Sequence, residues 1–261
     1  MTRQLSWADA TVRDELAALQ RAQPFVYGLT NYIAANLSAN VLLAVGAAPA
    51  IGAALDWPTC FAAAAAGMWV NGAALISSAP DTLETAARSA HEAGTPWVLD
   101  PVAFGAGSPE YDAAIHGLLR YKPAAIRGNA SELIALAGGS AGTKGVESTA
   151  RSDEAIAVIQ HFAKESGAVI AVSGEVDYVT DGETLIAVSG GDVRLTRVTG
   201  AGCALGALIA GLLANARSPL EATAAAHAIY KVAAERAASA RGTGSFAVAF
   251  VDELSLLDPA A

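Results

Sequence analysis

The order of apolar and polar positions divides the chain into alternating short and long segments. Apolar runs at 68–76, 96–99, 124–127 and 168–173 have the length and lack of alternation of strands buried on both faces. Residues 177–180 read as a further strand, and Asp181 with Gly182 between Val179 and Leu185 signals a hairpin. Elsewhere apolar residues return every three to four positions. This predicts helices over 7–20, where Leu16 and Leu19 face inward, and over 57–66, 109–120, 152–165 and 203–214. The strings D-T-L-E at 81–84 and N-A-S-E at 129–132 have capping-box spacing; the first opens a helix that Gly94 ends. Ser218, Pro219 and Glu221 open a long alanine-rich helix to about 240, and a last helix follows Gly242 and Gly244. Residues 24–32 read as a polar-tipped loop ahead of a helix carrying Asn36 and Asn40. Strands alternating with helices predict a three-layer α/β/α fold around a mainly parallel central sheet. With no internal repeat or linker, one domain over 1–261 is expected.

Composition sharpens this picture. Hydrophobic residues make up 53% of the 261 and charged ones 16%, well below the usual share of about 25%. Such a chain has apolar surface for a large core and some for contacts between subunits. The net charge of −9, with no basic run, excludes nucleic acid and anionic membrane as expected partners. Cys60 and Cys203 form neither metal-ligand spacing nor a disulfide framework, which fits a reducing cytoplasm. The first residues lack a signal-peptide core, and Pro49, Asp56 and Asn71 interrupt the alanine-rich stretches that could mimic membrane spans.

The chemistry concentrates late in the chain. The string R-V-T-G-A-G-C at 197–203 runs directly into the apolar segment 204–213. A glycine turn opening a helix leaves backbone N–H groups without intrahelical partners, and with the helix dipole these form an anion site. Cys203 falls in the first turn, where a thiol is easier to deprotonate. We read this stretch as holding a phosphate beside Cys203. Asp100, Arg127, Ser173 and the Thr199, Gly200 pair all follow predicted strands, and ligands of open parallel sheets lie beyond those strand ends. One site is therefore expected there. Each residue also has a structural alternative. Gly200 and Gly202 could pack a helix on the sheet, Cys203 could be a small buried hydrophobe, Glu132 a helix cap, Asp100 a turn residue before Pro101, Arg127 a solvated charge and Ser173 a strand-end residue. His91, His116, His161 and His227 lie within helical patterns away from any nucleophile, and 138–144 fails the P-loop spacing.

Several strings together resemble one family. They are F-V-Y-G-L-T-N-Y at 25–32, Asn36 to Asn40, D-P-V at 100–102, I-R-G-N-A-S-E at 126–132, K-G-V-E-S at 144–148 and T-G-A-G-C at 199–203. In this order they resemble the hydroxyethylthiazole kinases, whose members phosphorylate 4-methyl-5-(2-hydroxyethyl)thiazole with ATP for thiamine synthesis. The resemblance implies a ribokinase-like fold, a homotrimer with the thiazole pocket near subunit boundaries, and Mg²⁺ with ATP. It implies Asp100 and Glu132 as the metal pair, Arg127 and Ser173 on the nucleotide, and Gly200 with Gly202 as anion-hole donors. Cys203 would help deprotonate the alcohol, at a place where ribokinase-like enzymes commonly carry aspartate. Ile51, Asn31, Asn40 and Gly200 would contact the thiazole. The chain departs from the family pattern in having Ile51 for a methionine, Ala103 and Phe104 within the usual D-P-V-G-A-G, and Ala201 within the usual G-T-G-C. Phe104 is expected to bring a bulky ring near the phosphate crevice. Two related activities stay open: a kinase of the same fold acting on another heteroaromatic alcohol such as hydroxymethylpyrimidine, and a nucleotide-dependent dehydratase of hydrated nicotinamide cofactors. A non-catalytic thiazole-binding trimer is the third alternative.

Overall fold

A computed structural model describes residues 2–138 and 151–260; the glycine-rich stretch at 138–144, beyond its first residue, and the K-G-V-E-S string at 144–148 lie outside the described residues. In chain order the elements are β1 (Thr2–Gln4), α1 (Ala10–Ala22), β2 (Phe25–Leu29), α2 (Tyr32–Ala44), β3 (Ala48–Ile51), α3 (Trp57–Ala64) and β4 (Gly67–Asn71). There follow α4 (Pro80–Ala93), β5 (Trp97–Asp100), α5 (Pro109–Gly117), β6 (Ala125–Asn129), α6 (Ala130–Leu136), α7 (Ile156–Ser166), β7 (Val169–Ser173), β8 (Asp177–Thr180) and β9 (Leu185–Val188). The chain closes with α8 (Ala201–Leu213), α9 (Pro219–Arg236) and α10 (Thr243–Ser255).

Among the described residues the strands form one nine-stranded sheet in the order β1-β9-β8-β7-β6-β5-β4-β2-β3. Every neighbouring pair is parallel except the two made by β8. The sheet separates two cores. Trp69, Val98 and Ala171 point to one side, beneath α1, α2, α8, α9 and α10. Met68, Val70, Leu99 and Ile170 point to the other, beneath α3 to α7. Adjacent strand residues serving opposite cores explain the unbroken apolar runs.

Three local expectations are corrected. Residues 24–32 are not a loop, because Phe25–Leu29 is an interior strand between β3 and β4. Gly28 is what made it look irregular: a Cβ there would come within 2.2 Å of the Trp69 ring, so the indole takes the space. The run at 68–76 stops being a strand at Asn71, whose side chain accepts from Ala73 N–H and turns the chain into a 3₁₀ turn over Gly72–Ile76. The D-T-L-E string does not cap α4, which starts a residue earlier with Pro80 at its first position and Ala79 as its cap. The short edge strands β1 and β3 carried too few residues for a periodic signal.

Candidate functional site

The eight strands that run in one direction, all but β8, end on one rim of the sheet. Asn71 ends β4, Asp100 ends β5 and Ser173 ends β7, with Arg127 two residues before the end of β6. Arg127 joins two of them: its Nη1 donates to Asp100 Oδ2 at 3.1 Å and its Nη2 to Ser173 Oγ at 3.0 Å. Both ion-pair partners are buried. Asn71 Nδ2 donates to the same Asp100 oxygen at 2.9 Å, while Asp100 Oδ1 is buried without a partner among the described residues. Arg127 is thus no solvated charge.

Glu132 fulfils its capping expectation. Its Oε2 accepts from Asn129 N–H at 2.8 Å and Asn129 Oδ1 accepts from Glu132 N–H at 2.9 Å, closing the box at the start of α6. The second carboxylate oxygen reaches Ala103 N–H at 2.9 Å, which ties α6 to the loop after β5. Burial holds the Asp100 carboxyl above its ordinary range against the pull of Arg127 and Asn71. Burial, followed by the Asp100 charge, does the same for Glu132. Two desolvated carboxyls share one guanidinium here, an arrangement short of positive charge.

The start of α8 reaches this rim from above. Gly200 is its cap with φ +83°, a left-handed conformation that glycine adopts without strain. The site of its missing Cβ lies 3.0 Å from Ala34 Cα, so the N-termini of α8 and α2 nearly touch. Gly202 has no room either, since a Cβ would stand 3.2 Å from Arg127 Nη1. Tyr230 of α9 pins the turn by donating to Ala201 O at 2.6 Å. The Ala201 N–H is turned back on Val198 O at 3.1 Å, which leaves Gly202 and Cys203 as the first-turn N–H donors facing the rim.

Cys203 is half-buried. Against the ease of ionisation expected of a first-turn thiol, burial, then the nearby Asp100 charge, pushes it up to about 12, with Arg127 and Asn71 opposing. Phe104 is buried in the core beneath α3 to α7. Ala103 beside it takes φ +62°, a left-handed conformation at the place where the family pattern has glycine.

The substrate candidates are less tightly grouped. Asn31 caps α2, its Oδ1 accepting from Ala34 N–H at 2.7 Å. Asn40 donates to Asn36 Oδ1 at 3.1 Å, and both line a groove of about 430 Å³ with Ile33, Thr199 and Val248. Ile51 ends β3 in register with Gly28 and packs half-buried against the first core. A second cleft, about 290 Å³, opens beside Ser173, Gly174 and Tyr178. Arg127 and the start of α8 stand between Thr199 at one hollow and Ser173 at the other.

Three contributors were missed in the sequence. Asn71 was read as part of a strand interior, although a polar residue closing an apolar run is the mark of a strand end. Tyr230 sat in an alanine-rich helix with nothing to distinguish it. Tyr111, whose hydroxyl donates to Val102 O, is held above its ordinary range by burial and then by Asp100 and Glu132.

Fold and site together define a small-molecule kinase of the ribokinase-like class. A model of the hydroxyethylthiazole kinase family matches residues 16–260. A hydroxyethylthiazole kinase of Burkholderia thailandensis is 70% identical over 255 residues, covering 98% of either chain. The solved structure of a hydroxyethylthiazole kinase protein from Pyrococcus horikoshii superposes with a TM-score of 0.83 at 31% identity, covering 95% of this chain and 93% of that one. An ADP complex of Bacillus subtilis pyridoxal kinase shares the fold at 17% identity, TM-score 0.60, over 80% of this chain and 90% of its own. The chain belongs to the hydroxyethylthiazole kinase family.

Proposed function

We propose that this protein transfers the γ-phosphoryl group of ATP to the hydroxyl of 4-methyl-5-(2-hydroxyethyl)thiazole, with Mg²⁺ as the metal ion. The observation that carries the reading is the string of Cys203, Asn71, Asp100, Arg127 and Ser173, buried at its centre and half-buried at its ends, running between the two hollows. Phosphoryl transfer asks the protein mainly for positioning and charge compensation. The nucleotide fits the cleft at Ser173, with Arg127 on its phosphates. The alcohol fits the groove at Asn40 and Thr199, and the Gly202 and Cys203 N–H groups face the phosphoryl group in flight.

Mg²⁺ suits the donors present. Among the described residues no cluster of three or more ligating side chains could hold a metal alone. Mg²⁺, however, is commonly bound by one or two carboxylates together with phosphate oxygens and water. Asp100, with one unpartnered buried oxygen, and Glu132 would supply hard oxygens and negative charge that Arg127 alone does not balance. The ion would supply charge neutralisation on the phosphates. The thiol of Cys203 would accept the alcohol proton only where positive charge, from Arg127 and a bound metal, outweighs the burial and the Asp100 charge that raise it, so we assign it a helping role. Resemblance to the family further supports a homotrimer. The exposed apolar residues Ile33 and Val248 along the groove suit a subunit boundary. No helix among the described residues is long and apolar enough to cross a membrane.

The test is an ADP-release assay over a panel containing the thiazole alcohol, hydroxymethylpyrimidine and pyridoxal. Highest kcat/KM on the thiazole alcohol is expected. Faster turnover of the pyrimidine alcohol would replace the substrate assignment.

A further inference from the structure

Behind the nucleotide cleft lies a buried charged cluster that the transfer chemistry does not touch. Asp177 opens β8, while His227 and Lys231 stand one turn apart on α9, and all three are less than a tenth exposed. Asp177 Oδ2 faces His227 Nδ1 at 2.8 Å. Its Oδ1 accepts from Gly174 N–H at 2.8 Å and lies 3.4 Å from Lys231 Nζ. The ammonium also donates to Glu175 O at 3.0 Å and Gly190 O at 3.2 Å. A turn further along the same face, Glu235 accepts from Gly191 N–H at 2.9 Å. Burial alone would raise the Asp177 carboxyl, but its hydrogen bond with His227 and the charges of His227 and Lys231 hold it below its ordinary value.

A buried ammonium is costly, and an apolar side chain of equal length would fill the space without that cost. What an apolar chain lacks is three donors that reach separate segments at once. Lys231 uses them on the 174–177 turn, on the 189–191 loop and on the carboxylate that itself holds Gly174. Gly174 follows Ser173, the hydroxyl on which Arg127 rests. A surface turn without such a tie is among the most mobile parts of a fold.

We propose that Lys231 is a positioning residue for the nucleotide: its ammonium locks the turn after β7 and the loop after β9 onto α9, and so sets Ser173 and Arg127 against the phosphates. The proposal rests on the reading of Ser173 and Arg127 as nucleotide contacts. Lys231→Met keeps the chain length and removes the donors. It is expected to raise KM for ATP roughly tenfold or more while KM for the alcohol stays within about twofold, a split that general loosening of the fold would not produce. Propylammonium replaces the atoms that Lys231→Ala removes, and is expected to recover most of the ATP affinity where propan-1-ol does not. Lys231→Arg keeps a cation of the wrong shape and carries the same KM test if the methionine variant does not fold. A folded variant with unchanged KM for ATP would overturn the proposal. Ser173→Ala and Arg127→Lys are assayed alongside. If these raise KM for ATP and the Lys231 variants do not, only the role of Lys231 fails. If neither raises it, the nucleotide reading itself fails, and the proposal with it.

Discussion

Asp100 and Cys203 show how environment decides what a residue can do. Asp100 could have been a turn residue before Pro101, yet its carboxylate is buried against Arg127 and Asn71 with one oxygen unpartnered. Because burial raises both Asp100 and Glu132, each keeps its proton to a higher pH than an exposed carboxyl. Metal binding needs the ionised forms. At subsaturating Mg²⁺, kcat/KM is therefore expected to fall on acidification with a midpoint above the ordinary carboxylate value of about 4; a midpoint at or below it would contradict the pairing. For Cys203, a thiol pushed up to about 12 stays protonated at neutral pH and by itself is a poor base. Cys203→Ser is expected to lower kcat by about 10²-fold, at the low end for a lost acid–base group, with the nucleotide KM little changed. Unchanged kcat would remove the role. The residue types at the site were legible because strand ends and a glycine turn mark them. Ionisation was not legible, since it depends on how deeply α8 sinks onto the sheet, which no local pattern records.

That depth is set at the level of elements. α8 lies directly on β4: a Cβ at Gly67 would stand 2.1 Å from the Ala210 carbonyl oxygen, and a Cβ at Gly206 would lie 3.7 Å from Asp100 Oδ2. Close approach brings the first turn of α8 down to Arg127 while α9 holds it through Tyr230. Gly67→Ala must lift the helix or bend the strand. It is expected to cost about 1–3 kcal/mol, the usual range for overpacking, and to lower kcat through displacement of residues 200–203. A thermal melt with an activity assay checks both; an unshifted melt would mean that the contact gives way freely. Most helices were legible from their periodicity, and the β8–β9 hairpin from Asp181 and Gly182. β2 escaped because Gly28 and Thr30 break its apolar run, and its course depends on Trp69 from a neighbouring strand, a partner remote in sequence.

For the whole molecule, the mainly parallel sheet puts Asn71, Asp100, Arg127 and Ser173 at one rim, and the two hollows divide that rim between the proposed nucleotide and alcohol. The alternation of strands and helices carried this architecture, including the sheet's two buried faces. The surface at the groove is less self-sufficient. Tyr32, Ile33 and Val248 are well exposed around it, in keeping with a subunit boundary. Sedimentation is expected to give three times the monomer mass, and Val248→Glu to shift the protein towards monomer with a weaker hold on the alcohol. A monomeric mass for the parent protein would withdraw the trimer.

The central claim is that a metal held by Asp100 faces the start of α8 across the travelling phosphoryl group. ADP release with the thiazole alcohol, titrated with Mg²⁺ in the parent protein and in Asp100→Asn, tests it most directly. The account predicts Mg²⁺-dependent turnover in the parent and a loss of at least about 10²-fold in the variant, with a weakened response to the metal. A folded variant with the parent's turnover and the parent's Mg²⁺ curve would contradict it.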